Sequence, residues 1–331
     1  MKNRYIRPGE GGKSSIPAMA MLAAGGMAAA SAVGTAYMYL RVMKRAHTDV
    51  ERTTKMAGTD WSQYKDILEE RKAYVFAREH EEVYQTSFDG LKLHATWFPP
   101  AERETGRKRV VLCFHGYTSQ GLKDFLGLSQ YYLEQGYGML HPDARAHGKS
   151  EGEYIGFGCL DRHDALQWIN WVIQTCGEEV DILLHGISMG GATVLMASGL
   201  ELPPQVKGIV SDCAFTSPKE VFTHVLHSMY HMPAFPIIPL TDAVNQKLAG
   251  YGMDECNAKC EVAAAKVPIL FIHGSRDTFV PSRMCRELYD CCASPKKMLI
   301  VEGAAHAESY FKDREAYEGA LNQFTQEIFE D

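Results

Sequence analysis

The chain has no surplus of positive charge: 34 Lys and Arg stand against 41 Asp and Glu, a net charge of -7. It also has no basic stripe and no Gly-rich phosphate cradle, so it lacks both the field and the loop that nucleic-acid recognition uses. None of its nine cysteines falls in a Cys-x-x-Cys pair; Cys256 and Cys260 lie four apart, and Cys291 and Cys292 are adjacent. A structural zinc site wants two such clusters or a nearby histidine pair. His227 and His231 lie four apart but without the His-Glu-x-x-His pattern, so they read as lid surface rather than metal ligands. No metal and no cofactor is expected. Internal repeats are missing, and the one compositionally biased tract is an Ala/Gly-rich stretch near the N-terminus.

That stretch is also the longest run without charge, from Ile16 to Leu40. As a helix, 25 residues reach about 37 Å, enough for a hydrocarbon core of about 30 Å. Its length and the basic Arg41, Lys44 and Arg45 after it favour an uncleaved single-pass anchor over a cleaved signal peptide or a soluble arm. The expected organisation is a basic N-terminal segment over 1–45 with the anchor at 16–40, a helical connector over 46–80, and one catalytic domain over 81–331. Basic residues flank the run almost evenly, four before and five after, so the positive-inside rule does not orient it. The unpaired thiols, with Cys113 and Cys213 at core strand ends, suit a reducing compartment and a cytoplasm-facing domain.

Beyond the connector, alternating runs at 82–88 and 91–98 flank Asp89-Gly90, a strong hairpin signal. Continuous apolar strands then alternate with amphipathic helices. The strands are expected at 110–114, 138–141, 182–187, 206–210, 269–272 and 298–301, the helices near 122–135, 160–176, 282–293 and 313–329. This rhythm calls for a mostly parallel sheet of eight strands with helices on both faces. Residues 215–265 break the rhythm with Met229, Tyr230, Phe235, Ile237, Ile238 and several prolines, as a helical lid inserted after the sixth strand would. Asp161 and Asp164 read as caps in the first turn of their helix.

The chemistry-bearing stretch is Gly186-Ile187-Ser188-Met189-Gly190, set between an apolar strand and an apolar helix. A serine on so tight a corner adopts strained backbone geometry, and glycines two residues before and after let the neighbouring backbone pass. A nucleophilic serine needs a base, and the base an acid that fixes its tautomer. Asp277 and His306 each follow a strand, in the chain order Ser, Asp, His. His115, His141, His185 and His273 also adjoin strand ends, where packing or backbone hydrogen bonds explain them.

With these residues stand His115-Gly116, Asp143-x-Arg145-x-x-Gly148-x-Ser150 and Gly274-x-x-Asp277. From residue 82 to the C-terminus the chain resembles the α/β-hydrolase superfamily, and within it the bacterial membrane-anchored hydrolases grouped with serine aminopeptidase-like and acylglycerol lipase-like proteins. The resemblance implies Ser188 as nucleophile, His306 as base and then acid, Asp277 as its orienting group, and backbone N–H groups of Tyr117 and Met189 as the oxyanion hole. It implies a structural role for Asp143, Arg145 and Ser150, and leaves His147, where a small residue is usual, unassigned. Serine at 188 excludes the carboxylate and cysteine chemistries of related folds.

The expected activity is hydrolysis of a carboxylic ester, with thioester and amide open, on a small-molecule or lipid-like acyl substrate. A serine aminopeptidase-like activity would need a lid carboxylate to hold a free amino terminus, for which Asp242, Asp254 and Glu255 are available. A noncatalytic membrane-tethered scaffold retaining the fold is the alternative from another class.

Overall fold

The computed structural model describes residues 31–37, 39–45, 59–101 and 106–329. Eight strands form one sheet in the order β1-β2-β4-β3-β5-β6-β7-β8: β1 Glu81–Thr86, β2 Lys92–Phe98, β3 Lys108–Phe114, β4 Gly138–Pro142, β5 Val180–Ile187, β6 Val206–Asp212, β7 Ile269–Gly274 and β8 Lys296–Val301. β1 pairs antiparallel with β2 and β2 antiparallel with β4, while β4, β3, β5, β6, β7 and β8 pair in parallel, so β2 alone runs against the rest. The Asp89-Gly90 turn joins the hairpin as its sequence requires, with Gly90 at φ +91° and Ser87 N donating to Leu91 O at 2.8 Å.

The helices are α1 Lys65–Phe76, α2 Leu126–Glu134, α3 Asp161–Cys176, α4 Met189–Ala197, α5 Pro218–Tyr230, α6 Ile237–Leu248, α7 Ala258–Val262, α8 Arg283–Cys291, α9 Ser309–Lys312 and α10 Arg314–Phe329. Because strand side chains alternate, Val110, Leu112, Ile182 and Leu184 feed one core with Trp168, Met196 and Leu288. Val111, Cys113 and Leu183 feed the other, with Tyr132, Tyr317 and Phe324. Burial on both faces explains why the parallel strands read as unbroken apolar runs rather than alternating ones. Helices α5, α6 and α7 fill the connection between β6 and β7.

Part of the expected N-terminal segment lies among the described residues and packs on the domain. Residues 31–37 are helical, and Tyr39–Met43 forms a turn whose Tyr39 and Met43 sit in the first core, Met43 with no exposed surface. Lys44 bridges to Tyr154, Ile155 N donates to Met43 O at 2.9 Å, and the Arg45 guanidinium donates to the carbonyls of Ser150 and Gly148 at 2.6 and 2.7 Å. Residues 39–45 therefore pack as a strap on the catalytic domain, because their apolar side chains find a place in its core. Most of the expected anchor, residues 16–30 and 38, lies outside the described residues, as do 46–58 of the connector. Among the described residues no helix is long and apolar enough to cross a membrane.

If the strap belongs to the domain's fold, Met43→Ala removes a side chain from a filled core and should destabilise the protein by about 2–5 kcal/mol. A chemical denaturation midpoint unchanged from wild type would contradict this.

Candidate active site

β5 ends at Ile187, and the next residue has φ 55° and ψ -113° before α4 begins. Ser188 holds this conformation, which costs about 1–3 kcal/mol, because its N–H donates to Asp212 O at 2.8 Å while its carbonyl starts the helix. The glycines are sterically required: a Cβ on Gly186 would lie 2.1 Å from Gly190 O, and one on Gly190 would lie 1.9 Å from Phe114 O. The corner thus demands glycine at both 186 and 190.

The loops after β7 and β8 bring the partners. His306 Nε2 is 2.9 Å from Ser188 Oγ, and His306 Nδ1 is 2.7 Å from Asp277 Oδ2. Asp277 Oδ1 accepts from the N–H groups of Phe279 and Val280 at 3.0 and 2.8 Å, which fixes the carboxylate plane. Such a line lets a serine hydroxyl pass its proton to a neutral imidazole while the carboxylate stabilises the imidazolium that forms. Burial alone would raise the Asp277 pKa, but His306 and His273 outweigh it and hold the carboxyl well below its usual range.

His273 has a larger role than its strand-end position suggested. Its Nε2 donates to Val280 O at 2.8 Å and lies 3.2 Å from Asp277 Oδ2, so one carboxylate faces two histidines. Burial disfavours its charged form, yet Asp277 and the Cys285 sulfur together push its pKa up to about 10. Asp212, a second fully buried carboxyl, is pushed up to about 6 by burial, against the pull of His273 and the hydroxyls of Tyr317 and Ser309. The other strand-end histidines fit their structural reading. His115 Nε2 accepts from Ala144 N, His185 lies between the Tyr132 and Tyr317 hydroxyls, and His141 is buried and neutral, its pKa lowered to about 3.

The expected oxyanion donors lie on either side of the serine. Met189 is the first residue of α4, where N–H groups lack intrahelical partners. Tyr117 belongs to a loop whose Gly116 lies against Ser188, a Cβ at Gly116 falling 3.3 Å from Ser188 Cβ. Three residues that the motifs did not mark hold this loop. Asp124 accepts from Gly116 N at 2.8 Å, the strap's Val42 carbonyl accepts from the Tyr117 hydroxyl at 3.2 Å, and His147 Nε2 accepts from Thr118 N at 3.3 Å. Burial and the neighbouring His115 push the His147 pKa down to about 3, which keeps that nitrogen an acceptor. A fourth, Thr59, donates to His306 O at 2.9 Å from the far end of the connector. None of these carries a sequence signal, since none sits at a spacing that a motif or a secondary-structure period repeats.

The Asp143–Ser150 loop is tied locally. Asp143 pairs with His94 at 2.7 Å and accepts from Lys149 N, while the Ser150 hydroxyl donates to Asp143 O. Asp161 accepts from Gly158 N, ahead of its helix. Asp164, by contrast, is not a cap: it takes a two-pronged contact from Arg145 at 2.8 and 2.9 Å, and Arg145 also reaches Asp89. The buried guanidinium, held protonated by these carboxylates, decides the orientation of Asp164. Among the described residues, the grouping with metal-ligand chemistry is Asp277 and His306 with the Cys213 thiol, whose ionisation burial disfavours. His227 and His231 are both exposed on the lid.

A family model described as "Serine aminopeptidase, S33" matches residues 105–248. The esterase Pf2001 of Pyrococcus furiosus superposes on this chain with a TM-score of 0.63 at 21% identity, covering 77% of this chain and 94% of its own. The chain has the α/β-hydrolase fold, and its sequence is similar to hydrolases of that fold. Other relatives of this hydrolase include an uncharacterized protein, YqkD, of Bacillus subtilis, 28% identical over 65% of this chain and 70% of its own length. The lysophosphatidylserine lipase ABHD12 of Danio rerio is 27% identical over 57% of this chain and 48% of its own. An acetyl xylan esterase from Paenibacillus shares the hydrolase fold with a TM-score of 0.57 at 17% identity, covering 82% and 96%.

The raised pKa of His273 has a defined consequence. Its charge stabilises the fold fully below the unfolded histidine value of about 6.5, and that contribution is lost as pH rises through about 10. His273→Gln should therefore be most destabilised relative to wild type near pH 6, with the gap narrowing toward pH 10. Urea midpoints across that range measure it, and a gap constant with pH would remove the charge from His273.

Proposed function

We propose that the hydrolase is a serine esterase that cleaves a carboxylic ester through an acyl-enzyme, with Ser188, His306 and Asp277 as its triad. The observation that carries this is the hydrogen-bonded line itself, 2.9 Å from serine to histidine and 2.7 Å from histidine to aspartate. In the first half-reaction Ser188 Oγ attacks the ester carbonyl carbon and His306 Nε2 takes its proton. The oxyanion that forms is held by the N–H groups of Tyr117 and Met189. His306 then gives the proton to the departing alkoxide oxygen, releasing the alcohol. Water repeats the sequence on the acyl-serine to release the acid.

An apolar acyl portion is supported by the aromatic ladder from the oxyanion loop to the lid. Tyr117 stacks on Phe157 with ring centroids 5.3 Å apart, and Phe157 meets Phe222 of α5 edge to face at 4.8 Å. The peptidase reading is less well supported. Asp242 accepts from Met253 N and Gln246, Asp254 pairs with Lys219, and Glu255 accepts from Gly252 N, so all three lid carboxylates serve the lid's own structure. The same bonded line argues against a noncatalytic scaffold, since burying an ordered Asp-His-Ser chain serves no scaffold purpose. The comparisons agree with an esterase in kind, through proteins named as esterases and a lipase.

The uncharged run at 16–40 is read as a membrane tether, with the domain facing the cytoplasm. Full-length protein should then stay with membranes through carbonate extraction, and release into the supernatant would remove the tether.

Ser188→Ala should abolish labelling by a fluorophosphonate probe and lower kcat by about three orders of magnitude or more, leaving only binding and the oxyanion hole. A screen of p-nitrophenyl esters, thioesters and aminoacyl anilides with wild-type protein separates the substrate classes. Retention of more than about a hundredth of wild-type turnover by the variant would overturn the triad.

A further inference from the structure

Isolated exposed apolar side chains are ordinary on a protein surface, whereas a cluster of large ones marks a surface that something covers. Twelve large hydrophobic residues are exposed among the described residues, and seven of them fall on two short stretches: Val33, Tyr37 and Leu40, and Met229, Tyr230, Phe235 and Leu240. The two stretches meet in space. Gly34 lies against the lid, a Cβ there falling 3.2 Å from Ile237 and 3.6 Å from Met232, and Tyr39–Met43 packs on α6. Phe235 and Leu240 flank Ile237, with Lys247 and Leu248, about two turns beyond Leu240 on the same helix, also exposed.

This face carries no formal charge. Residues 229–240 contain no Asp, Glu, Lys or Arg, and residues 31–40 contain none either. The exposed charges that border it in sequence, Arg41 and Lys247, are basic, while the half-buried Asp242 is engaged by Met253 N and Gln246. The described end of the uncharged run belongs to this face, with Gly34 and Tyr39 resting on the lid. A bilayer is the one partner that suits all three features at once: an apolar face, a basic rim that suits anionic headgroups, and a charge-free segment leading out of it.

We propose that the lid and the strap together form a membrane-docking face that seats the hydrolase against the bilayer, so that a long-chain acyl ester reaches the site from the lipid phase. The strap that leads to this face touches the oxyanion loop through the Tyr117 hydroxyl and the Val42 carbonyl, and α5 of the lid carries Phe222 at the end of the aromatic ladder. The docked face and the acyl-binding wall are thus parts of one layer. The docking half of the inference stands on the surface alone, and the substrate half rests on the esterase reading.

The test uses full-length protein reconstituted in phosphatidylcholine vesicles containing a fraction of phosphatidylglycerol, with and without bromine on the acyl chains. Tryptophan is introduced singly by Phe235→Trp on the lid, and by Met298→Trp on the edge strand β8 as the control. Brominated chains should quench the added emission at 235 and leave that at 298 unchanged. Equal behaviour at the two positions, or wild-type protein that does not float with the vesicles, overturns the docking face; equal behaviour would mean that residues 16–30 or a second copy covers it. In parallel, the Phe235→Asp, Leu240→Asp double variant should lose about tenfold or more of its turnover on a vesicle-borne monoacylglycerol, as loss of two apolar anchors predicts, while a water-soluble short-chain p-nitrophenyl ester is cleaved as by wild type. An equal loss on both substrates would overturn the delivery route. Failure of wild-type protein to cleave the soluble ester would instead count against the esterase reading, whatever the quenching shows.

Discussion

The structure depends on one strained residue. Ser188 can stand at φ 55° only because β5 and α4 meet at a corner too tight for any Cβ at 186 or 190, and because its N–H is anchored on the carbonyl of Asp212 in the neighbouring strand. That anchor ties the corner to β6, which lies against β7, the strand that ends just before Asp277. A strained serine is stable here because the whole centre of the sheet over-determines it. The fully buried strands on each side are therefore part of the site's machinery as much as of the core.

Charge balance behind the serine is the second constraint. Two carboxylates, Asp212 and Asp277, are buried within reach of two histidines, and a buried carboxylate without a partner would be costly. His273 carries the compensation: its Nε2 shares Asp277 Oδ2 with His306, and it lowers the cost of Asp212. Asp277 can then remain ionised in a dry setting, which is the state needed to orient His306. The backbone N–H groups of Phe279 and Val280 complete the same task by direct hydrogen bonds.

The N-terminal residues contribute more than attachment. Through Tyr117 the strap steadies the loop that carries one expected oxyanion donor, and through Thr59 the connector steadies the loop that carries His306. Tyr64 and Gln63 add contacts to Glu308, whose other oxygen accepts from Ala305 N just before the histidine. The loop after β3 and the loop after β8 are thus held by chain segments that precede the sheet in sequence. A domain boundary drawn at residue 45 or 80 cuts across these supports.

The sheet, the elbow and the chain order of Ser188, Asp277 and His306 can be read from residue pattern alone. Apolar runs of strand length between amphipathic helices leave a parallel sheet as the packing that covers both faces. A Gly-x-Ser-x-Gly corner is legible because its steric demand is local. The positions of Asp277 and His306 are legible because parallel topology sends every βα loop to the same edge. Folding in three dimensions sets the rest: Asp164 pairs with Arg145 instead of capping a helix, His273 shares Asp277, His147 and Asp124 hold the loop that carries Tyr117, and Tyr39 and Met43 sit in the core. His273 and Asp277 lie only four apart and Asp124 eight from Gly116, yet which group each side chain meets depends on how strand and loop fold back, and the other contacts join groups 19 or more residues apart, so none of them leaves a period or a spacing for the sequence to display.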